Sequence, residues 1–312
     1  MHSICNDRCF DVAIIVSAPT MTTEKSFELT TTEGTEVRGL AYMDGRIYIL
    51  QALSKLDNAS TIIYSAIGVY RMEDECWQPE VITNEEYNRP QDMVACSSLS
   101  VLYILDQLRI WEVRKDVQKS VYERSSKVSA TMSITRTHLL VVSSEDIRKY
   151  EYGSDFKAPM SELRLPVGLS ETKPWHAVEV DDGHVISHAE AENLHRVSKF
   201  KEIQRDMSKS KVEVFTYGKN VGKGEDQLSS PVYLVVEPEY GAIFVADHDN
   251  SRVVVLDRNL KKVMTINDLP EGCYPSRLCY VEERSLLLVG MSNGLVVGYK
   301  VKRYVIIHFQ RY

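Results

Sequence analysis

The chain has no apolar run long enough to cross a bilayer as a helix, which takes about 20 residues. Its N-terminal run, Val12 to Ala18, follows Asp11 rather than a basic cluster, so it reads as neither a secretory leader nor an anchor. A cytoplasmic protein with no membrane partner is expected. Basic residues are not in excess: 37 Lys and Arg face 44 Asp and Glu, a net charge of −7. That argues against a broad phosphate-binding surface, which needs clustered cations. The six cysteines are scattered without a repeated spacing and need no disulfide framework in a chain of this length. Cys5 and Cys9 could form half a zinc site, but no second pair completes four ligands. The Asn58-Ala59-Ser60 sequon stands alone as a hint of secretion. A sustained 3.6-residue apolar period is also missing, which excludes a helical core.

What the chain does have is a repeated strand grammar. Its clearest statement runs from Tyr217 to Asp257: a glycine-rich loop, Leu228, Pro231, an apolar strand, a Glu-Tyr-Gly turn and a second strand ending Val245-Ala246-Asp247. A polar corner at Asn250 and a third strand complete it. Weaker copies begin near Val37, Pro90, Met132, Pro174 and Pro275, which makes six. Asp106, Ser143, His188, Asp247 and Gly290 are read as corresponding second-strand ends, at spacings compatible with blades of about 40 to 50 residues. A polar fourth strand such as Lys262 to Asn267 fits an outermost, half-wet position. The expected fold is all-β: a six-bladed β-propeller of four-stranded antiparallel blades. Glu24–Thr31 is expected to close the ring as the missing strand of the last blade, since closure removes exposed edges. The organisation is then an extension over 1–23, the propeller over 24–302, and an apolar tail over 303–312.

The spacing of Gly222, Gly224, Leu228 and Pro231, followed by Val245-Ala246-Asp247 and Asn250-Ser251-Arg252-Val253, resembles an NHL repeat. The chain is similar to six-bladed NHL propellers, including those that form the C-terminal part of tripartite-motif proteins. Two departures stand out: His188 replaces the motif's Asp, and the third blade lacks both proline and Asp. No RING or B-box cysteine/histidine set and no heptad coiled coil accompany the propeller, so the resemblance carries no ligase activity to this chain. It implies a non-enzymatic platform for a protein or peptide, with no cofactor. It also implies two alternatives: single-stranded RNA binding, which the acidic balance disfavours, and a channel-centred metal hydrolase or lyase.

Other chemical readings are weaker than their structural counterparts. His184 and His188 would sit on one face of a strand but about 13 Å apart, too far to share an ion. His176 with His188 or His248 is the remaining histidine pairing for a channel metal. Gly218 to Gly224 lacks the spacing and the Ser/Thr of a phosphate loop. Asp106 and Asp247 read as strand-end acceptors of turn amides rather than catalytic acids. The basic run Lys199 to Lys211 reads as a solvated loop.

The ring of third positions on the first strands is the informative set: Gly39, Asp92, Thr131, His176, Tyr233 and Arg277. Core positions would be uniformly apolar, and these differ from copy to copy. They are expected at one wet mouth of the central channel, beside His188, Asp247 and Asp249. The expected partner-binding face is therefore Asp92, Thr131, His176, His188, Tyr233, Asp247, Asp249 and Arg277.

Overall fold

The computed structural model describes residues 12–16, 20–31, 35–57, 60–73, 76–85, 87–115, 117–123, 129–135, 137–144, 146–152, 161–162, 173–190, 194–204, 210–304 and 307–311. Six four-stranded antiparallel sheets form the six blades of a β-propeller. Blade 1 comprises Thr35–Met43, Arg46–Asp57, Ser60–Glu73 and Cys76–Glu85. Blade 2 comprises Asp92–Cys96, Val101–Leu105, Arg109–Arg114 and Val117–Glu123. Blade 3 comprises Ala130–Ile134, His138–Ser143, Ile147–Glu151 and the two-residue Ser161–Glu162. Blade 4 comprises Lys173–Val180, Gly183–Glu190, Leu194–Gln204 and Ser210–Tyr217. Blade 5 comprises Pro231–Val236, Ile243–Asp247, Arg252–Leu256 and Lys262–Ile266. Blade 6 takes Pro275–Val281, Leu286–Met291 and Leu295–Tyr304 from the C-terminal end and Thr20–Thr30 from the N-terminal end.

The alternation of side chains along each strand explains why the blades must stack. In blade 5, Ile243, Val245, Val254 and Leu256 face one neighbour, while Phe244, Ala246, Val253 and Val255 face the other. Each sheet is therefore apolar on both faces and buries one against each adjacent blade. Six apolar clusters result among the described residues, one at each blade interface. Tyr103, Ile110, Met132 and Tyr150 join blades 2 and 3; Val37, Ile47, Leu288 and Val296 join blades 6 and 1 across the closure.

The closing strand pairs with Leu295–Tyr304 from Thr20↔Tyr304 to Thr30↔Leu295, four residues longer at its start than the alternation of the sequence suggested. The C-terminal segment does not stand apart as a tail. Ile307–Arg311 pairs antiparallel with Val12–Val16, extending the clasp between the two ends of the chain. The basic run after Lys199 is a hairpin rather than a loop: Leu194–Gln204 pairs with Ser210–Tyr217 as far as Gln204↔Ser210. It lies in the two outer strands of blade 4, away from the axis. Lys199 itself is buried, paired with Asp182 at 2.7 Å and donating to the Arg258 carbonyl. Among the described residues no helix is long and apolar enough to cross a membrane.

A chain beginning at residue 31 should leave Leu295–Tyr304 as an unpaired edge, and such edges template association. Sedimentation should show aggregates for this truncation, reversed when a peptide of residues 20–30 is added. A monomeric truncated chain with unchanged thermal unfolding would show that the clasp does not hold the ring.

Candidate functional site

The six inner strands set the site, because each presents one unpaired backbone edge to the axis. In blades 1, 4, 5 and 6 the pairing shifts between the first and third residues: Val37/Gly39, Pro174/His176, Pro231/Tyr233 and Pro275/Arg277. Proline has no N–H to offer a ladder and is tolerated at strand starts and bulges. The extra residue bends the strand and re-aims the next side chain towards the axis. The register confirms that Gly39, Asp92, Thr131, His176, Tyr233 and Arg277 are equivalent, opposite Leu50, Leu105, Val142, Ser187, Ala246 and Gly290. One alignment needs correction. The residue opposite Pro275, and so equivalent to Asp247, is Met291; Gly290 pairs with Arg277. The bulge accounts for the slip of one.

These residues meet at the axis, but not as a wet mouth. Asp92 and His176 are fully buried, and Tyr233 and Arg277 are no more than 9% exposed. They form one connected network. Arg277 Nε lies 3.3 Å from Asp92 Oδ1 and donates to the Arg38 carbonyl at 2.7 Å. Arg277 Nη1 donates to the Ser276 carbonyl, and Nη2 crosses to the Gln91 carbonyl of blade 2. The Asp92 carboxylate accepts from the Met132 N–H at 2.7 Å, the Met93 N–H at 2.9 Å and the Tyr233 hydroxyl at 3.3 Å. Tyr233 and His176 Nε2 both reach the Met132 carbonyl, at 3.2 and 3.0 Å. Their rings stack at 3.8 Å between centroids, and the Arg277 guanidinium lies 5.2 Å from the Tyr233 ring. Half-buried Thr131 donates to the Trp175 carbonyl at 2.6 Å. Gly39 completes the ring by having no side chain. A Cβ there would come within 2.5 Å of Met93 Cβ and 2.7 Å of Met93 N.

Burial sets the protonation states of this plug. It pushes the Asp92 carboxyl up to about 6, against the opposing pull of Arg277 and the donated hydrogen bonds. It pushes the His176 imidazole down to about 3 and the Tyr233 phenol well above its ordinary value. A carbonyl can only accept, so neutral His176 carries its proton on Nε2. Its bare Nδ1 finds no partner among the described residues.

His188, Asp247 and Asp249 have other roles. Asp247, fully buried, accepts from the Ser229 N–H at 2.6 Å, Asn250 Nδ2 at 2.8 Å and Arg252 Nε at 2.6 Å. Arg252 also holds the Lys223 and Gln227 carbonyls, and Asn250 holds that of Gly222. The glycine loop is thereby pinned to blade 5. Asp106 repeats this in blade 2, accepting from the Leu108 and Arg109 amides and from Trp111 Nε1 at 2.8 Å. Trp111, five residues after the Asp, takes the place of Arg252. In blade 4 the buried His188 bonds Ser198 Oγ through Nε2 at 2.7 Å. Asp249 is exposed on the strand-start face, beside His248 at 2.7 Å, and His248 stacks on the exposed Tyr274. Burial acts upward on the Asp249 carboxyl, but donors from Ser230 and His248 outweigh it and lower its pKa.

His176, His188 and His248 thus engage three separate partners. Among the described residues no three His, Cys, Asp or Glu side chains gather where they could hold one metal ion. Cys5 and Cys9 lie outside the described residues.

Sequence reasoning missed the space beneath the plug. A cavity of about 410 Å³ runs down the axis to the face carrying the turns between first and second strands. His176 and Tyr233 close it at depth. Leu40, Val94, Val178, Leu234 and Leu278 contribute aliphatic walls, and the charged lining residues are Glu179, Glu282 and Glu283, all exposed. A second cavity of about 650 Å³ adjoins it, sharing Ile134, Glu179, Val236 and Pro238. No sequence signal marks these positions, because wall leucines and valines read like any core.

The histidines make stability pH-dependent. Burial lowers His176 to about 3 and both His184 and His188 to about 4, whereas an unfolded histidine titrates near 6.5. Below pH 6.5 the unfolded chain takes up protons that the native rings refuse, so stability falls with acidification towards pH 4. Asp92 acts in the opposite sense between 3.8 and about 6, but it is one group against three. Urea unfolding should give a free energy on the order of 3 kcal/mol lower at pH 5.5 than at 7.5. Equal or greater stability at 5.5 would show that these rings are solvated.

Comparison of the chain with protein-family models finds no match, and a search of curated proteins finds no significant relative.

Proposed function

We propose that this propeller is a non-catalytic recognition module for a protein or peptide, and that the partner docks on the face into which the axial cavity opens. The observation that carries the reading is the dead-ended cavity. Its volume and its mainly aliphatic wall suit an inserted side chain, as binding pockets do. The adjoining cavity widens the same face into a cleft with room for flanking residues. The histidines and carboxylates of the plug are buried and committed to one another, which supports a structural role for them over acid–base chemistry. On this reading His176 and Tyr233 shape the floor, Asp92, Thr131 and Arg277 brace it, and His188 and Asp247 hold the blades. Asp249 belongs to the opposite face. The pinned loop of Gly222, Asp247, Asn250 and Arg252 supports placing the propeller with NHL-type repeats.

Panning a random peptide library and a random single-stranded RNA pool against the purified protein tests the proposal. Convergent peptides are expected, with binding lost when Ala95, a half-buried residue of the cavity wall, is replaced by Trp. RNA enrichment with a steep salt dependence, or no peptide enrichment, would contradict it.

A further inference from the structure

The character of the axial cavity points to one kind of occupant. Its rim and floor differ chemically. At the rim stand Glu179, Glu282 and Glu283, and among the described residues no lysine or arginine lines the space. Between rim and floor the wall is aliphatic. At the floor lies a fully buried imidazole whose Nδ1 is an acceptor without a donor, since Nε2 is spent on the Met132 carbonyl. His176 and Glu179 lie three residues apart on one strand, so floor and rim are separated by about 10 Å. A group that satisfies all three zones needs a long apolar stem and a donor at its tip. Its surroundings should be positively charged.

We infer that the cavity receives a lysine side chain from a basic segment of a protein partner, its stem against Leu40, Val178, Leu234 and Leu278 and its ammonium donating to His176 Nδ1. This rests on the recognition role proposed above. Lysine carries a compact charge on a flexible four-carbon stem, while arginine's planar fork seeks a bidentate acceptor that the floor does not offer. A buried ammonium needs acceptors in place of water. The lone pair of Nδ1 supplies one, and the inner strands turn backbone carbonyls towards the axis, as Met132 and Ala177 show. Neighbouring basic residues of the same segment meet the rim carboxylates, which steer its approach.

The test uses the full chain and two labelled probes, hexalysine and hexaglutamate, followed by fluorescence anisotropy at low and moderate salt. Hexalysine should bind and hexaglutamate should not. The double variant Glu282→Gln/Glu283→Gln changes exposed residues only, so it should fold normally and weaken hexalysine binding about tenfold. At saturation the Nδ1 resonance of the His176 ring should shift in a ¹⁵N spectrum, which adsorption to the rim alone would not cause. Equal binding of hexaglutamate, an unchanged affinity in the double variant, or an unmoved His176 resonance would each overturn the inference. Panned peptides that bind this face without basic residues would sink the lysine and leave the recognition role standing. Absence of any panned peptide would remove both.

Discussion

Everything near the axis stems from one constraint: an inner strand has no neighbour on its axial side. Each of the six blades ends there in a row of backbone N–H and C=O groups that no sheet satisfies, and buried polar groups must be paired. The protein answers with side chains from other blades. Arg277 takes the carbonyls of Arg38 and Gln91, His176 and Tyr233 that of Met132, Thr131 that of Trp175, and Ser133 that of Ala177. Asp92 meets the complementary need by accepting the Met132 amide. The variety among the six ring positions is therefore a division of labour. An arginine long enough to cross two blades requires a neighbour with no side chain, and Gly39 supplies it.

The same constraint divides the axis into two halves. At the strand starts the polar side chains close it. Lower down, towards the first turns, small and aliphatic residues leave it open, and the space ends in a cavity rather than a through-channel. A closed end made of coupled polar groups is rigid, because a network of this kind tolerates no missing member. The floor it gives to the cavity is thus fixed in shape and in protonation. Breaking the Asp92–Arg277 pair would leave one uncompensated buried charge, a change that costs roughly 3–5 kcal/mol in comparable sites.

Much of the architecture was legible in the sequence. Two-sided apolar strands such as Ile243–Asp247 cannot be satisfied within one sheet, and six copies with a spare N-terminal strand describe a closed ring. The equivalence of the ring residues was legible too, because Pro174, Pro231 and Pro275 mark the same point in their strands. The slip at Gly290 came from a bulge, which inserts a residue without changing composition. Burial was not legible. Asp92, His176 and Arg277 read as wet because nothing local pairs them. Their partners lie one or more blades away, Arg277 and Gln91 being 186 residues apart. The cavity was invisible for the opposite reason, since Leu40 or Val178 looks the same whether it faces packed core or open space.

The central claim is that the plug is dry. The most direct measurement is the ¹⁵N chemical shift of the His176 ring nitrogens in the free protein, tracked from pH 7 to pH 5. The buried network predicts a neutral ring throughout, protonated on Nε2 and bare on Nδ1, as the Met132 carbonyl requires. A ring that titrates near 6.5, the value of a solvated histidine, would mean that the strand-start end of the axis is open to water. The division between a closed end and a receiving end would then be wrong.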